Sequence, residues 1–529
     1  MEKSSSGNSI KHYNNCKFKV AMEGMLVGLL AGIIIVAYRL LLNQVSEFRE
    51  TVLLFLKSNS RVYTLGWFII LAGVGLTLGL LIEKIPMIKG SGIPQVKGVF
   101  LRQLKMDWLK ELLAKFFGGI IAPGLGLSLG REGPSIQLGS QVGLGVSRIL
   151  KRHQTEEKYL ITSGATAGLA AAFSAPLAGV VFSLEELHKN FTPLILVSTM
   201  GASLVANFVS TKFFGLKPAF KFAEVTPLPI NQYLYLIPLG IIIAIAGGFF
   251  NYSLLKIQDI YGNLTGVKDR YKPIIPFLLA GILGLFMPDM LGGGHELVEK
   301  LGQQQFLITT LLLFIVIKFL FTIVCYGSGV PGGIFLPLLV IGALMGKVYG
   351  LILVDYFGLS TNYVINFVIL AMAAYFTAIT KAPITGSILI LEMTNSFNNF
   401  LELMVVVALA YLVVDLLEVK PIYDSLLEKI LHKKGKKDIT GDGNKKIIME
   451  IPISPGSELE CKQIKEVLWP EGCLIVGINR LDNEIIPKGE TKILEGDRLI
   501  ILSSEEVACK VKCKLLSMGE ENAENTQLI

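Results

Sequence analysis

The sequence predicts an all-α polytopic membrane protein with repeat halves and broken helices, followed by a small C-terminal α+β domain. The first observation is composition: of 529 residues, 52% are hydrophobic and only 17% are charged, against roughly 25% charged residues in a soluble protein. The second is a series of uncharged runs, several close to the ~20 residues that a spanning helix needs. The third is an internal repeat. The composition excludes a disordered chain and a disulfide scaffold.

Uncharged runs give the order of the predicted spanning segments. Some shorter runs, such as 116–129 and 382–391, are interrupted by Gly and Pro. Irregular backbone at membrane depth is tolerated only where it is buried in protein or lines a cavity. The pattern therefore favours a transporter or channel over a receptor of simple spans. The longer runs cover residues 25–38, 63–82, 192–211, 233–250, 273–288, 319–346 and 356–380.

An internal repeat relates the two halves of the apolar region. Segments 165–185 and 372–392 share the pattern Ala-Pro-x-x-Gly followed by five residues and Glu. Related halves with interrupted helices are typical of secondary transporters, which bind substrate where the halves meet. The alternative is two packing helices that are similar only because both are rich in small residues. The matched positions are Ala175, Pro176, Gly179 and Glu185 against Ala382, Pro383, Gly386 and Glu392.

Basic residues flank the apolar region on both sides. The net charge is +7, and much of it lies in Lys17, Lys19 and the lysines between 433 and 446. Because such lysines remain on the cytoplasmic side, we predict a multi-pass plasma-membrane protein with both termini cytoplasmic. This reading is favoured over nucleic-acid binding, since the basic blocks adjoin spanning segments. No cleavable signal peptide is expected in the polar stretch 1–15.

The remaining composition disfavours an enzyme. The six cysteines and five histidines show no metal-ligand spacing, so neither a metal nor another cofactor is predicted. No phosphate-binding loop or catalytic-triad pattern is present in the sequence. Four of the cysteines lie in the polar C-terminal part, where reduced thiols are expected.

Changes in composition divide the chain into five predicted segments. Strand character at 448–451, 474–478 and 499–502, with a helix predicted at 457–468, indicates a separate α+β domain. The segments are a cytoplasmic N-terminal segment 1–17, a transmembrane domain 18–431, a linker 432–446, the α+β domain 447–517 and a disordered tail 518–529.

Three Gly-rich turns share one design. They are Gly90-Ser-Gly-Ile-Pro94, Gly130-Arg-Glu-Gly-Pro134 and Gly332-Gly-Ile-Phe-Leu-Pro337. Gly frees the backbone and Pro suits the first helical turn, so each turn predicts a helix N-terminus. Unpaired N–H groups and the positive end of the helix dipole make such a terminus an anion site. One turn could be a packing break, but three in one membrane chain point to anion transport.

The three motifs, in this order, closely resemble those of the CLC family of chloride channels and chloride/proton exchangers. The resemblance covers about residues 18–431, and Lys420-Pro-Ile-Tyr423 resembles the start of that family's last helix. It implies inverted repeat halves and a homodimer in the lipid bilayer, with a separate pathway for chloride and protons in each subunit. The chain is expected to be a chloride/proton antiporter. The alternatives are a passive voltage- or pH-gated chloride channel and, less favoured, a regulated cation transporter.

The resemblance implies four anion-binding residues. Ser91 and Tyr423 would donate hydroxyl groups, and Ile334 and Phe335 would donate backbone N–H groups. Family members with Ser at the position of Ser91 favour chloride, whereas Pro there favours nitrate. Taken alone, Ser91 would be read as a helix cap and Tyr423 as an interfacial anchor.

Two glutamates are predicted to carry gating and proton transfer. Glu132, at a helix start inside the membrane, mimics an anion when ionised and resembles the family's gating glutamate; the alternative is a capping carboxylate. Glu186 resembles the inner proton-transfer glutamate of the exchangers, and family channels usually lack it; the alternative is a carboxylate reaching solvent. Glu185 recurs as Glu392, which indicates a structural role. Lys115 is expected to be structural or electrostatic.

The C-terminal domain has a separate resemblance. The stretch 487–501, PKGETKILEGDRLII, resembles the TrkA-C (RCK-C) regulatory domains of potassium-uptake proteins over about 70 residues. This implies ligand sensing or dimer contacts. No residue identifies the ligand, although a cyclic dinucleotide is a candidate because some such domains bind one.

Overall fold

The computed structural model describes residues 3–189, 192–222, 225–264, 266–433, 446–480 and 483–519. Most of the predicted linker 432–446 and of the predicted tail 518–529 lies outside these residues. The chain forms two compact units, Met1–Leu427 and Glu428–Ile529.

The first unit is helical, as predicted. Within the described residues, eight helices are long and apolar enough to cross a membrane. The uncharged run 319–346 is not one span, because the turn 328–334 separates α12 from α13. The helices are α1 Lys3–Ser58, α2 Arg61–Lys84, α3 Ile93–Phe100, α4 Trp108–Gly124, α5 Glu132–Ile149, α6 Gln154–Phe173, α7 Pro176–Phe182, α8 Pro193–Phe214, α9 Leu236–Asn263, α10 Ile274–Phe286, α11 His295–Gln303, α12 Ile308–Gly327, α13 Phe335–Phe357, α14 Val364–Thr380, α15 Pro383–Thr394, α16 Phe400–Leu416 and α17 Ile422–Lys433.

Small residues allow the central helices to approach closely. A side-chain carbon at Gly139 on α5 would collide with the backbone of Gly164 on α6, and one at Gly168 would collide with the backbone of Ser135. Close approach through small residues is how helices pack inside membranes, where lipid removes the hydrophobic drive between them. The high Gly content therefore builds the core of the unit as well as its turns.

The two repeat segments break in the same way. Ser174 ends α6 in the left-handed region at φ 56°, and Lys381 ends α14 there at φ 56°. The following residues, Ala175 and Ala382, share ψ 78°. Identical breaks do not follow from similar composition, so the repeat is confirmed as structural.

The repeated glutamates cap each other's helices. The Glu185 carboxylate accepts hydrogen bonds from the backbone N–H groups of Ile384 and Thr385, at 3.2 and 2.7 Å. The Glu392 carboxylate accepts from the N–H groups of residues 177 and 178, at 3.0 and 2.8 Å. Each carboxylate thus satisfies the first turn of the partner helix. The predicted structural role of this pair is confirmed.

The second unit is a four-stranded antiparallel sheet in the order β1-β4-β2-β3, packed against one helix. Its core includes Ile451, Ile478, Ile501 and Leu515. The predicted strands are confirmed, while the short β3 and the helix α18 were not predicted. The elements are β1 Lys446–Pro452, β2 Cys473–Arg480, β3 Asn483–Ile485, β4 Arg498–Ser504 and α18 Glu505–Gly519.

The predicted helix at 457–468 is wrong. The segment forms turns, with one 3-10 turn at Ile464–Glu466. Its backbone N–H groups bond sideways instead: Cys461 donates to the Ile493 carbonyl at 2.9 Å, and Lys465 donates to the Gly489 carbonyl at 3.0 Å. These bonds to the 487–501 stretch take the donors that a helix would need.

The contacts of Asp497 show the role of the Gly496-Asp497 pair in the stretch 487–501. Its carboxylate receives two hydrogen bonds of 2.8 Å from the Arg480 guanidinium and one of 2.8 Å from the Leu494 N–H. Burial raises the pKa of Asp497, but these donors outweigh burial and hold the pKa below its usual value. The motif therefore closes the loop before β4.

Candidate functional site

The three Gly-rich turns are hydrogen-bonded to one another. The Gly332 N–H donates to the Gly90 carbonyl at 3.0 Å, and the Gly90 N–H donates to the Gly329 carbonyl at 3.3 Å. Gly130 and Gly333 exchange two hydrogen bonds, at 2.6 and 2.8 Å. These bonds bring the N-termini of α3, α5 and α13 close together. The three sequence motifs alone do not predict that they meet.

Ser91 lies in the centre of this arrangement. It is buried, and a side-chain carbon at Gly133 would lie 2.8 Å from its carbonyl oxygen. The Tyr326 hydroxyl donates to Ser91 Oγ at 3.5 Å, which leaves the Ser91 hydroxyl free to donate in turn. Gly92, not Ser91, is the N-cap of α3, so the reading of Ser91 as a helix cap is wrong.

Ile334 and Phe335 form the start of α13 and are fully buried. The first N–H groups of a helix have no acceptor within it. The Phe335 ring packs against Phe173 and Phe376, with ring centroids 5.3 and 4.6 Å apart. These two rings lie near the ends of α6 and α14, so both repeat segments hold the start of α13 in position.

Tyr423 is fully buried near the start of α17. Among the described residues its hydroxyl has no hydrogen-bond partner, and its phenol interacts electrostatically with Tyr326, Glu186 and Glu132. A membrane-interface anchor would keep its hydroxyl in water, so that reading of Tyr423 is wrong. An unpartnered buried hydroxyl is instead available to a ligand.

Glu132 is the first residue of α5 and is fully buried. Neither carboxylate oxygen has a hydrogen-bond partner of normal geometry in the described part of the chain. The carboxylate lies beside Gly130, its own backbone N–H and the N–H of Leu336, in the first turn of α13. The carboxylate therefore faces the start of α13 as well as the first N–H of its own helix, and both the gating and the capping interpretations stay predictions.

A cavity of about 530 Å³ borders this position, and its wall includes Gly130, Arg131 and Leu336. Arg39 and Arg49 also line it, and sequence reasoning missed both. An arginine inside an apolar run, as Arg39 is in α1, is the signal that was available. The wall carries carboxylates as well, from Glu50, Asp289 and Glu296.

Glu186 lies on a π-helical turn, Ser183–His188, that continues α7. It is buried, and its Oε1 lies 2.8 Å from the Lys97 ammonium. A carboxylate that reaches solvent would be exposed, so that alternative is wrong. Lys97 also donates to Asp424 on α17. Sequence reasoning missed both of these partners.

Lys115 holds the first turn in shape. Its ammonium donates to the carbonyls of Ile88 and Gly90, at 2.9 and 2.6 Å. Lys318 makes the same pair of bonds to Met290 and Gly292 in the second half. The structural role expected for Lys115 is confirmed.

Two family models match the chain. The voltage gated chloride channel model matches residues 74–415. The chain belongs to the voltage-gated chloride channel family. The TrkA-C domain model matches residues 448–511, within the second unit. The fold predicted for this family member, with its repeat halves, broken helices and C-terminal α+β domain, is confirmed.

Relatives and solved structures of the family are similar to this chain over more than three quarters of its length. The H(+)/Cl(-) exchange transporter ClcA of Klebsiella pneumoniae is 32% identical over 426 residues, which cover 78% of this chain and 89% of ClcA. ClcA of Salmonella paratyphi B is 31% identical over the same shares. The crystal structure of a slow cyanobacterial Cl-/H+ antiporter superimposes with a TM-score of 0.76 at 30% identity, covering 79% of this chain and 99% of that one. A CLC-type fluoride/proton antiporter, 23% identical with a TM-score of 0.63 over 77% of this chain and 97% of its own, shares the fold.

Proposed function

We propose that this chain is a chloride/proton antiporter of the plasma membrane. The observation that carries the proposal is the Glu132 carboxylate, buried without a normal hydrogen bond beside the first turn of α13. A carboxylate held there has the charge of a halide, and protonation removes that charge. The names of the ClcA relatives and of the cyanobacterial antiporter support the same assignment.

In the proposed scheme chloride is held by dipoles rather than by a full positive charge. Ser91 and Tyr423 donate hydroxyl groups, and Ile334 and Phe335 donate backbone N–H groups at a helix start. Helix N-termini favour anions. A lysine or arginine in direct contact would bind chloride too tightly for turnover.

Glu132 then links chloride movement to proton movement. Ionised, it competes with chloride for the start of α13; protonated, it leaves the position to the anion. Glu186, buried on the π turn after α7 and linked through Lys97 and Asp424 toward solvent, passes protons between Glu132 and the cytoplasm. A chloride and a proton therefore use the same glutamate in alternation.

The deciding experiment is proton flux driven by a chloride gradient in liposomes containing the purified protein. An antiporter moves protons against their own gradient. A passive voltage- or pH-gated channel, the second candidate, would move chloride without protons. Glu186 favours the antiporter over the channel. The four proposed anion-binding residues are hydroxyl and N–H donors, and this disfavours a cation transporter.

Ser91→Pro should shift selectivity from chloride toward nitrate. The substitution removes one hydroxyl donor and so changes which anion best replaces its hydration shell. Relative chloride and nitrate fluxes in liposomes would measure the shift. Ser140→Ala is the control. Ser140 is also a buried serine but lies on α5, and its substitution should leave the ratio of chloride to nitrate flux unchanged. An unchanged ratio in Ser91→Pro would remove Ser91 from the anion site.

We further propose the divisions 1–17, 18–431, 432–446, 447–517 and 518–529, with both termini cytoplasmic and the protein a homodimer. The basic residues near both ends of the membrane domain support this orientation. The second unit is proposed to regulate transport by binding a ligand, for which a cyclic dinucleotide is the candidate.

Deleting residues 447–529 should leave a folded, transporting membrane domain. Every proposed pathway residue lies in the first compact unit, and a ligand of the second unit can act only through different affinities for two transporter states. Dimer formation and chloride efflux of the truncated and full-length proteins would be compared. A well-folded truncated dimer with no chloride flux would show that the second unit belongs to the transport machinery.

A further inference from the structure

A chain of alternating charges leads from Glu186 toward solvent. The Lys97 ammonium lies 2.8 Å from Glu186 Oε1 and also donates to Asp424 Oδ1. The Lys189 ammonium lies 2.9 Å from the other oxygen, Asp424 Oδ2. The side chains of Lys97 and Glu186 are each 5% exposed, that of Asp424 is 26% exposed and that of Lys189 is 59% exposed. Asp424 therefore has two cationic partners, whereas buried Glu186 has Lys97.

Lys97 and Asp424 belong to the two helices next to the proposed hydroxyl donors. Lys97 lies on α3, which starts just after Ser91, and Asp424 directly follows Tyr423 on α17. The ion pair joins positions 327 residues apart in the chain. Movement of α17 away from α3 would separate Ser91 from Tyr423 and break this pair.

The strength of the pair depends on Glu186. One ammonium that faces two carboxylates is shared between them, and it binds either one more tightly when the other is neutral. When Glu186 takes up a proton, Lys97 is left to Asp424 and the link between α3 and α17 strengthens. By reciprocity, separating α17 from α3 returns Lys97 to Glu186 and favours its ionised form.

We infer that Lys97 is a positioning residue that transmits the protonation state of Glu186 to the contact between α3 and α17. Protonated Glu186 holds Ser91 and Tyr423 together, and ionised Glu186 allows them to part. The inference rests on the proposed function for the roles of Ser91 and Tyr423. It adds to the scheme a contact between α3 and α17, the Lys97–Asp424 ion pair, that strengthens when Glu186 binds a proton.

The groups that face Glu186 are few enough to test. Lys97 faces it from α3, Asp424 and the Tyr423 phenol face it from α17, and Lys189 faces it from the end of its own π turn. Of these, Lys97 alone bridges Glu186 and Asp424. Substitution of Lys97 should therefore break the link between Glu186 and Asp424.

The test measures amide hydrogen exchange of residues 422–427 in the purified full-length protein, at a mildly alkaline pH that keeps carboxylates ionised. Glu186→Gln imitates the protonated state and should slow exchange by at least about threefold. In Lys97→Met the same Glu186→Gln change should have no effect. A purely structural role for Lys97 predicts faster exchange in Lys97→Met, with the effect of Glu186→Gln still present.

Two further variants complete the test. Lys97→Arg keeps the positive charge and should keep the effect of Glu186→Gln. Asp424→Asn should abolish that effect, and it serves if Lys97→Met does not fold. The inference is overturned if Glu186→Gln leaves exchange unchanged, or if its effect persists in Lys97→Met or Asp424→Asn. Exchange is read without transport, so this outcome is independent of whether protons are found to move.

Discussion

Glu132→Gln should abolish proton transport while chloride continues to move. Gln is close to Glu in size, but it neither carries a proton nor competes as an anion for the first turn of α13. Positioned acid–base groups contribute about 10²–10⁴-fold to proton transfer, so proton flux should fall at least about hundredfold. Chloride flux should persist because the proposed anion donors, Ser91, Tyr423 and the α13 N–H groups, are untouched.

The measurement is simultaneous recording of chloride and proton flux in liposomes under a chloride gradient. Glu50→Gln is a matched control: it removes a carboxylate from the wall of the same cavity, where Glu50 pairs with Arg49. Coupling should be retained in this control. Proton flux that survives in Glu132→Gln would refute the gating assignment, and loss of both ions would indicate a structural role instead.

The helix starts were predictable because their causes are local. Gly and Pro determine the backbone of a turn over a few residues, so the starts of α3, α5 and α13 can be read from three short motifs. The repeat was predictable for the same reason, since Ala-Pro-x-x-Gly encodes one kind of break. What the motifs could not give is that the turns bond to one another through Gly90, Gly130 and Gly333.

One further copy of a turn was missed. Gly292 and Gly294 repeat the left-handed backbone of Gly90 and Gly92, with φ values of 60° and 88° against 64° and 95°. Lys318 then repeats the role of Lys115. A signal was available, because Pro86 and Pro288 each precede the first glycine of the turn by four residues. The match was hidden because the position of Ser91 is occupied by Gly293 in the second copy.

The charged partners of Glu186 were missed for a different reason. Lys97 and Asp424 contact each other across 327 residues, and each lies in a short helix. Their pairing arises from tertiary packing, which no local pattern specifies. The mistaken helix at 457–468 has the same origin, because its donors are taken by a distant stretch of chain.

Glu186→Gln should lower proton flux at least about a hundredfold. Chloride should still move, but more slowly, because Lys97 then binds Asp424 more tightly and holds α3 and α17 together. Glu186 is not one of the proposed anion donors, and removing its charge leaves Lys97 paired with Asp424. No buried cation is therefore stranded, which is the usual reason that breaking a buried pair unfolds a protein. The variant should fold and bind chloride, but protons would have no inner acceptor.

Glu185→Gln is the matched control one residue away. Its carboxylate caps α15 through Ile384 and Thr385, so the substitution should lower stability and reduce both ion fluxes in proportion. Recording both fluxes and thermal stability for the two variants separates a proton carrier from a cap. If Glu186→Gln kept its coupling, Glu186 would be structural and another group would have to carry protons on the cytoplasmic side. A loss of proton coupling in Glu186→Gln, beside a proportional loss of both fluxes in Glu185→Gln, would instead assign proton transfer to Glu186. The second repeat lacks this glutamate, since Met393 occupies the matching position.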